Sequence, residues 1–111
     1  MYDDEAMRLA ALAEALESTD YYSLLGVARE VDAKALRDAF HEFALRFHPD
    51  QHIDEPMLHA MALRIFKRGN EAYKVLSNET LRGRYDTARR SGAIRLPPKD
   101  MQAPPEEVLK E

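Results

Sequence analysis

The 111 residues contain no cysteine, which excludes disulfides, thiolate zinc sites and cysteine nucleophiles and is compatible with a reducing compartment. Aromatic residues are few, at 8%, so any core must be modest in size. No apolar run reaches the length that spans a bilayer, and the acidic opening Asp3-Asp4-Glu5 is unlike a signal peptide. A cytoplasmic protein with no membrane partner is the expectation. What is present, 45% hydrophobic and 32% charged residues, fits one soluble globular domain. The net charge of −4 hides a gradient: residues 1–33 carry −6, residues 34–95 carry +4 and residues 96–111 carry −2. A mildly basic middle on an acidic chain suits an acidic protein surface better than a polyanion such as DNA.

The chain is organised around His48-Pro49-Asp50. Pro49 has no amide hydrogen and drives His48 out of the α region, so a helix reaching Phe47 must stop there. Upstream, Leu36, Phe40, Phe43, Ala44 and Phe47 recur at helical spacing; downstream, Leu58, Ala62, Ile65, Gly69, Ala72, Tyr73 and Leu76 do the same. Two apolar stripes joined by so short a loop bury each other by folding back antiparallel, which leaves the loop at the tip of a helical hairpin.

The remaining segments follow from local signals. Residues 3–17 read as a helix capped by Asp3 or Asp4, with Leu9, Leu12, Ala13 and Leu16 on one stripe that should pack on the domain. Ser18-Thr19-Asp20 ends it and caps a short helix, Tyr21 to Leu25, closed by Gly26; Tyr22, Leu25 and Val27 should pack across the hairpin. Asp32 is the natural N-cap of a helix from Ala33 to Phe47. The next helix should begin near Glu55-Pro56 with Asp54 as cap and run to Leu76, with Gly69 admitting a bulky neighbour such as Phe43 or Phe47. Ser77-Asn78 caps a last helix, Glu79 to about Arg90, ended by Gly92. Beyond it, Leu96-Pro97-Pro98 and Ala103-Pro104-Pro105 suggest an extended linker or disordered tail, compatible with a fragment of something larger. The aromatic set Tyr22, Phe40, Phe43, Phe47, Phe66, Tyr73 and Tyr85 reads mostly as core.

Three blocks of this chain resemble a J-domain, the defining module of DnaJ-type co-chaperones. They are Asp20-Tyr21-Tyr22-Ser23-Leu24-Leu25-Gly26-Val27, then Phe40 through Asp50, then Asn70 through Ser77 followed by Arg84-Tyr85-Asp86. The resemblance implies an all-α J-domain-like bundle whose second and third helices form the central antiparallel hairpin, with an extra N-terminal helix. The division it gives is 1–19 as N-terminal helical extension, 20–92 as J-domain and 93–111 as Pro-rich linker or tail. Lacking the Gly/Phe-rich stretch and the cysteine-rich zinc module, these residues are similar to the class that has only the J-domain in common with the fullest members.

By the same resemblance, the module binds a DnaK-type 70-kDa heat-shock chaperone and stimulates its ATP hydrolysis, and is itself no enzyme. His48, Pro49 and Asp50 would carry that activity, with Lys34, Arg37, His41 and Arg46 meeting the acidic surface of the partner. His41 and Glu42 stand where lysine or arginine is frequent, Phe40 where tyrosine is common, and Gln51-His52 where a basic residue and asparagine are usual. The contact helix is thus less basic than most, which points to a dedicated partner. No catalytic set, cofactor or metal is expected: His48, Asp50, His52 and His59 cluster in sequence, but Pro49 breaks the helical spacing that would aim His48 and His52 at one ion. A monomer is expected; the client is open.

Blander readings accompany these. His-Pro-Asp by itself is a helix stop and a turn, and basic residues on a helix are by default a solvated face. Arg82, Arg84, Arg89, Arg90 and Arg95 could meet nucleic acid, but arginines on the terminal helix of an acidic chain more commonly sit in water or pair with Asp86 and Glu79. The alternative function is therefore a J-like protein-interaction or nucleic-acid-binding module with weakened chaperone activity.

Overall fold

Three side-chain caps set the helix starts. In a computed structural model, which describes residues 4–102, Asp20 Oδ1 accepts the Ser23 amide at 2.8 Å, Asp32 Oδ1 that of Ala35 at 2.8 Å, and Asn78 Oδ1 that of Leu81 at 3.0 Å. Each satisfies one of the orphan amide donors of a first turn. They open α2 (Tyr21–Leu25), α3 (Ala33–Phe47) and α5 (Glu79–Arg90), and with α1 (Asp4–Ala15) and α4 (Pro56–Leu76) these make an all-α chain among the described residues. Asp4 already lies within α1, and Asp3, the other expected cap, is outside the described residues. The expected cap of α4 differs: Glu55, not Asp54, holds the N-cap position, and it makes no side-chain cap bond. A single 3-10 turn, Pro49–His52, brings the chain round from α3, and Pro56 supplies the first position of α4 with its preset φ. Gly26 closes α2 in the left-handed region at φ 72°.

The hairpin of α3 and α4 is antiparallel as the two stripes require, and α4 is the hub, touching α1, α2, α3 and α5. At Gly69 the Phe43 ring of α3 fills the space that a Cβ would occupy. Only glycine leaves that ring its room, which accounts for a residue unfavourable in a helix interior by about 1 kcal/mol. Phe43, Leu36, Ile65, Ala72 and Val75 make the centre of the core, and Phe40 stacks on Tyr73 with ring centroids 4.4 Å apart.

α1 lies on α4. Leu9, Ala13 and Leu16 are buried and Leu12 partly so. The side chain of Arg68, only 9% exposed, donates to the Leu16 carbonyl at 3.2 Å and to Glu17 at 3.1 Å. One guanidinium thereby satisfies the fraying end of α1 and pairs the carboxylate beside it.

Residues 93–102 depart from the expected linker. Leu96 is buried, and the chain there is stitched down by tyrosines: the Leu96 amide donates to the Tyr21 hydroxyl at 3.0 Å, and the Tyr85 hydroxyl donates to the Ile94 carbonyl at 2.9 Å. Prolines bring no amide of their own, and the remaining backbone here is satisfied partly on these hydroxyls and partly in a 3-10 turn, Pro98–Asp100. Ala103-Pro104-Pro105 lie outside the described residues.

Candidate functional site

The tip of the hairpin is held from beneath. His48 takes an extended conformation, φ −62° and ψ 125°, as the following proline demands. Pro49 is buried, so the loop is anchored at its middle while its neighbours face out. The His48 side chain is 50% exposed and that of Asp50 79%. His48 Nδ1 accepts the Asp50 amide at 3.2 Å. A neutral imidazole that accepts at Nδ1 carries its hydrogen on Nε2, so the hydrogen-bond network assigns Nε2 as the donor. The ring leans on Phe66, centroids 5.4 Å apart. The tip therefore offers one ring donor and one carboxylate acceptor, both preset by backbone and packing.

Of the residues after the tripeptide, Gln51 is exposed and His52 is buried. The Gln51 carboxamide donates to the Leu45 carbonyl, closing one of the orphan acceptors at the end of α3. His52 is buried, with Nδ1 3.5 Å from Glu55 and Nε2 4.0 Å from Glu5 on α1. Sequence spacing gave no sign of either role. The polar character of Gln51 and His52 fits a loop facing water equally well, and it is the packing of the Pro49–His52 turn against α4, with Glu5 of α1 alongside, that buries His52.

The expected contact residues on α3 are all exposed but do not form one patch. At 100° per residue, Lys34, Arg37 and His41 share a face, whereas Arg46 lies on a different side of the helix. Its guanidinium carbon sits 5.3 Å from the centroid of Phe47. Lys34 is paired with Asp38 at 2.8 Å, and that ammonium, with lesser help from Arg37 and His41, holds the Asp38 carboxyl below its ordinary range. Leu45, 74% exposed, falls on the Lys34 face near the tip. It was absent from the expected set because an apolar residue off the core stripe carries no charge signal; the spacing Asp38, His41, Leu45 was the available clue.

The arginines of α5 and beyond, weighed above for nucleic acid, are mostly used within the fold. Arg82 donates to the carbonyls of Arg29 and Val31 at 2.6 and 3.0 Å, and Arg84 to those of Asp100 and Gln102 at 3.1 and 2.8 Å. Arg89 pairs with Asp20 at 3.5 Å rather than with Asp86, whose carboxylate accepts the Tyr22 hydroxyl at 2.7 Å. Arg95 grips Glu71 with two bonds of 2.8 and 2.6 Å.

The helical hairpin, the exposed imidazole and carboxylate at its tip, and the short helix across it define a J-type module. Residues 20–86 match the family described as DnaJ domain, and the chain belongs to that family. It is 40% identical over 86 residues to the DnaJ homolog subfamily C member 11 of Mus musculus, an alignment covering 78% of this chain and 15% of that protein. It is 44% identical over 73 residues to the chaperone protein DnaJ of Chlorobaculum tepidum, covering 66% of this chain and 17% of that one. Among solved structures, the J-Trx1 fragment of ERdj5 superposes with a TM-score of 0.58 at 34% identity, covering 78% of this chain and 38% of the fragment. The chain thus spans about a sixth of the length of these curated relatives. Among the described residues no helix is long and apolar enough to cross a membrane.

Proposed function

We propose that this chain is a co-chaperone module that binds a DnaK-type heat-shock chaperone in its ATP state and stimulates hydrolysis there, performing no chemistry of its own, with the cytoplasm as its expected compartment. The observation that carries the proposal is the tip itself: His48 and Asp50 exposed on either side of a buried Pro49, with their mutual backbone contact already made. A preset pair loses little conformational freedom on docking. Asp50 suits a charge-assisted bond with a partner guanidinium, about 1.5–3 kcal/mol when desolvated. His48 adds a directed donor from Nε2. Binding then promotes hydrolysis only to the extent that the loop prefers the hydrolysis-competent state of the partner, because a ligand shifts an equilibrium by its differential affinity alone. Lys34, Arg37, His41 and Arg46 act in approach and orientation, tempered by Asp38 and Glu42 on the same helix, so stimulation should be only moderately salt-sensitive.

The test is single-turnover ATP hydrolysis by the cognate chaperone with the wild-type chain, His48→Gln and Asp50→Asn. Loss of most of the stimulation in both variants, with unchanged melting temperature, is expected; equal stimulation by all three ends the proposal. The nucleic-acid alternative has little surface left to it, since Arg82, Arg84, Arg89 and Arg95 already bond to carbonyls and carboxylates of the fold.

A further inference from the structure

Where α1 meets the first turns of α4, an open trough of about 430 Å³ is lined by Ala6, Met7, Ala10, Met57, Leu58 and Met61, with apolar side chains throughout. Met7 is 59% exposed and Met57 78%, so the lining faces solvent. Three of the chain's five methionines sit in this one place. Long, unbranched, polarisable side chains of this kind adapt to a range of apolar anchors, and a trough between two helices accepts a third. Exposed carboxylates outnumber exposed bases on the two segments that supply the lining: Asp4 and Glu14 on α1 and Asp54 and Glu55 where the chain leads into α4, against Arg8 on α1 and Arg64 one turn past Met61.

We propose that this trough docks a basic amphipathic helix of a partner protein, its apolar face on the methionines and its lysines or arginines toward the acidic rim. Charge decides between the occupants. Residues 103–111 carry Glu106, Glu107 and Glu111 against Lys110, the same sign as the rim. A second copy related by a two-fold axis would set this rim against itself. A basic helix gains on both counts. The trough lies off the tip residues His48 and Asp50, and this inference stands independently of whether those residues engage a chaperone.

The probe is a fluorescent peptide of roughly 18 residues, about five turns, with leucine on one face and lysine on the other. Its anisotropy is read on titration with the full chain, beside the same peptide carrying glutamate for lysine. The lysine peptide should bind about tenfold or more tightly than the glutamate one, and weaken as salt rises. Met7→Ser with Met57→Ser, both at exposed positions, should cost about tenfold in affinity without moving the melting temperature, and Asp54→Asn with Glu55→Gln should flatten the salt dependence. His48→Gln should bind the peptide as the wild type does. Equal affinity for the two peptides, or serine variants that bind normally, overturns the proposal. So does tighter binding by Val108→Asp with Leu109→Asp, which would make residues 103–111 the occupant, and so does a concentration-dependent dimer that Met57→Ser abolishes.

Discussion

At the end of the hairpin where α4 hands over to α5, three tyrosine hydroxyls are built into the fold, whereas at the opposite end the chemistry is pointed at solvent. Tyr21 is 1% exposed and stacks on Tyr85 at 4.2 Å; its amide donates to the Tyr85 hydroxyl at 2.9 Å, and its own hydroxyl donates to Glu71 while accepting from Leu96. Tyr22 bonds Asp86 in the same region. Burial pushes the Tyr85 phenol up to about 12, and burial with the Glu71 contact pushes Tyr21 higher still. At the tip, by contrast, His48 and Asp50 are exposed and are joined by one hydrogen bond, from the Asp50 amide to the His48 ring. The contrast is a division of labour: the tyrosine hydroxyls are used in joining helices, whereas the tip presents groups that the fold leaves exposed. A site that must meet a partner cannot also spend its donors and acceptors on the fold.

The sharpest way to break the comparison is to remove the apolar pin at the closed end. Leu96 is 2% exposed in a stretch whose sequence reads as linker. Leu96→Ala should destabilise the chain by about 2–5 kcal/mol, as large-to-small changes in a packed core do, measured as a lower urea midpoint at unchanged slope. An unaltered midpoint would return residues 93–102 to the status of a tether.

Much of this architecture was legible because it is local. Asp20, Asp32 and Asn78 cap the helices they precede, and Gly69 faces Phe43, because capping and helical period depend on residues a few positions apart. The expected packing of α1 through Leu9, Leu12 and Leu16 is also found, but the Arg68 clasp on its end is not a periodic feature and left no trace in the pattern. Tyr22 is buried as expected, but Tyr21, which was passed over, is buried as well, because Glu71, Tyr85 and Leu96 arrive from far along the chain to enclose it. Leu96-Pro97-Pro98 states its backbone conformation plainly and says nothing of what it lies on. At the tip, His48 and Asp50 could be read directly because Pro49 dictates the break. Gln51 and His52 could not, since the Leu45 carbonyl that Gln51 meets and the packing that buries His52 are set by the turn and by α4.

A second way to sharpen the contrast uses pH. Burial alone would raise the Glu71 carboxyl, but the bonds from Arg95 and Tyr21 outweigh it and hold the group below the usual carboxylate range. A folded-state value below the unfolded one means that the unfolded chain binds the proton first on acidification. Glu71 therefore contributes its stability fully above the ordinary carboxylate range and loses it as pH falls through the depressed value. Glu71→Gln should cost about 1–3 kcal/mol at neutral pH, and its melting temperature should fall less steeply between pH 5 and 3, on the order of the ordinary carboxylate range, than that of the wild type. The alkaline side has the opposite sign: Tyr21 and Tyr85, raised in the fold, give up stability as pH climbs from the unfolded phenol value of about 10 through their folded values. Parallel acid limbs for wild type and Glu71→Gln would place the acid-sensitive contact elsewhere.

The smallest effect on stability, and the most telling for the tip, is expected from Gln51→Ala. Its carboxamide is exposed and closes a single carbonyl at the end of α3, so removing it should cost about 0.5–1 kcal/mol, since water can take the vacated acceptor. The loop, however, loses one of the few bonds that fix where His48 and Asp50 stand relative to α3. Chaperone stimulation should fall several-fold through weaker apparent affinity while the maximal rate at saturation is retained, because a loosened loop reaches the docking geometry for a smaller fraction of the time and still makes the same contact once there. Saturation curves of ATP hydrolysis against co-chaperone concentration separate the two quantities. A lower plateau with unchanged half-saturation would mean that Gln51 itself touches the partner rather than steadying the loop through the Leu45 carbonyl.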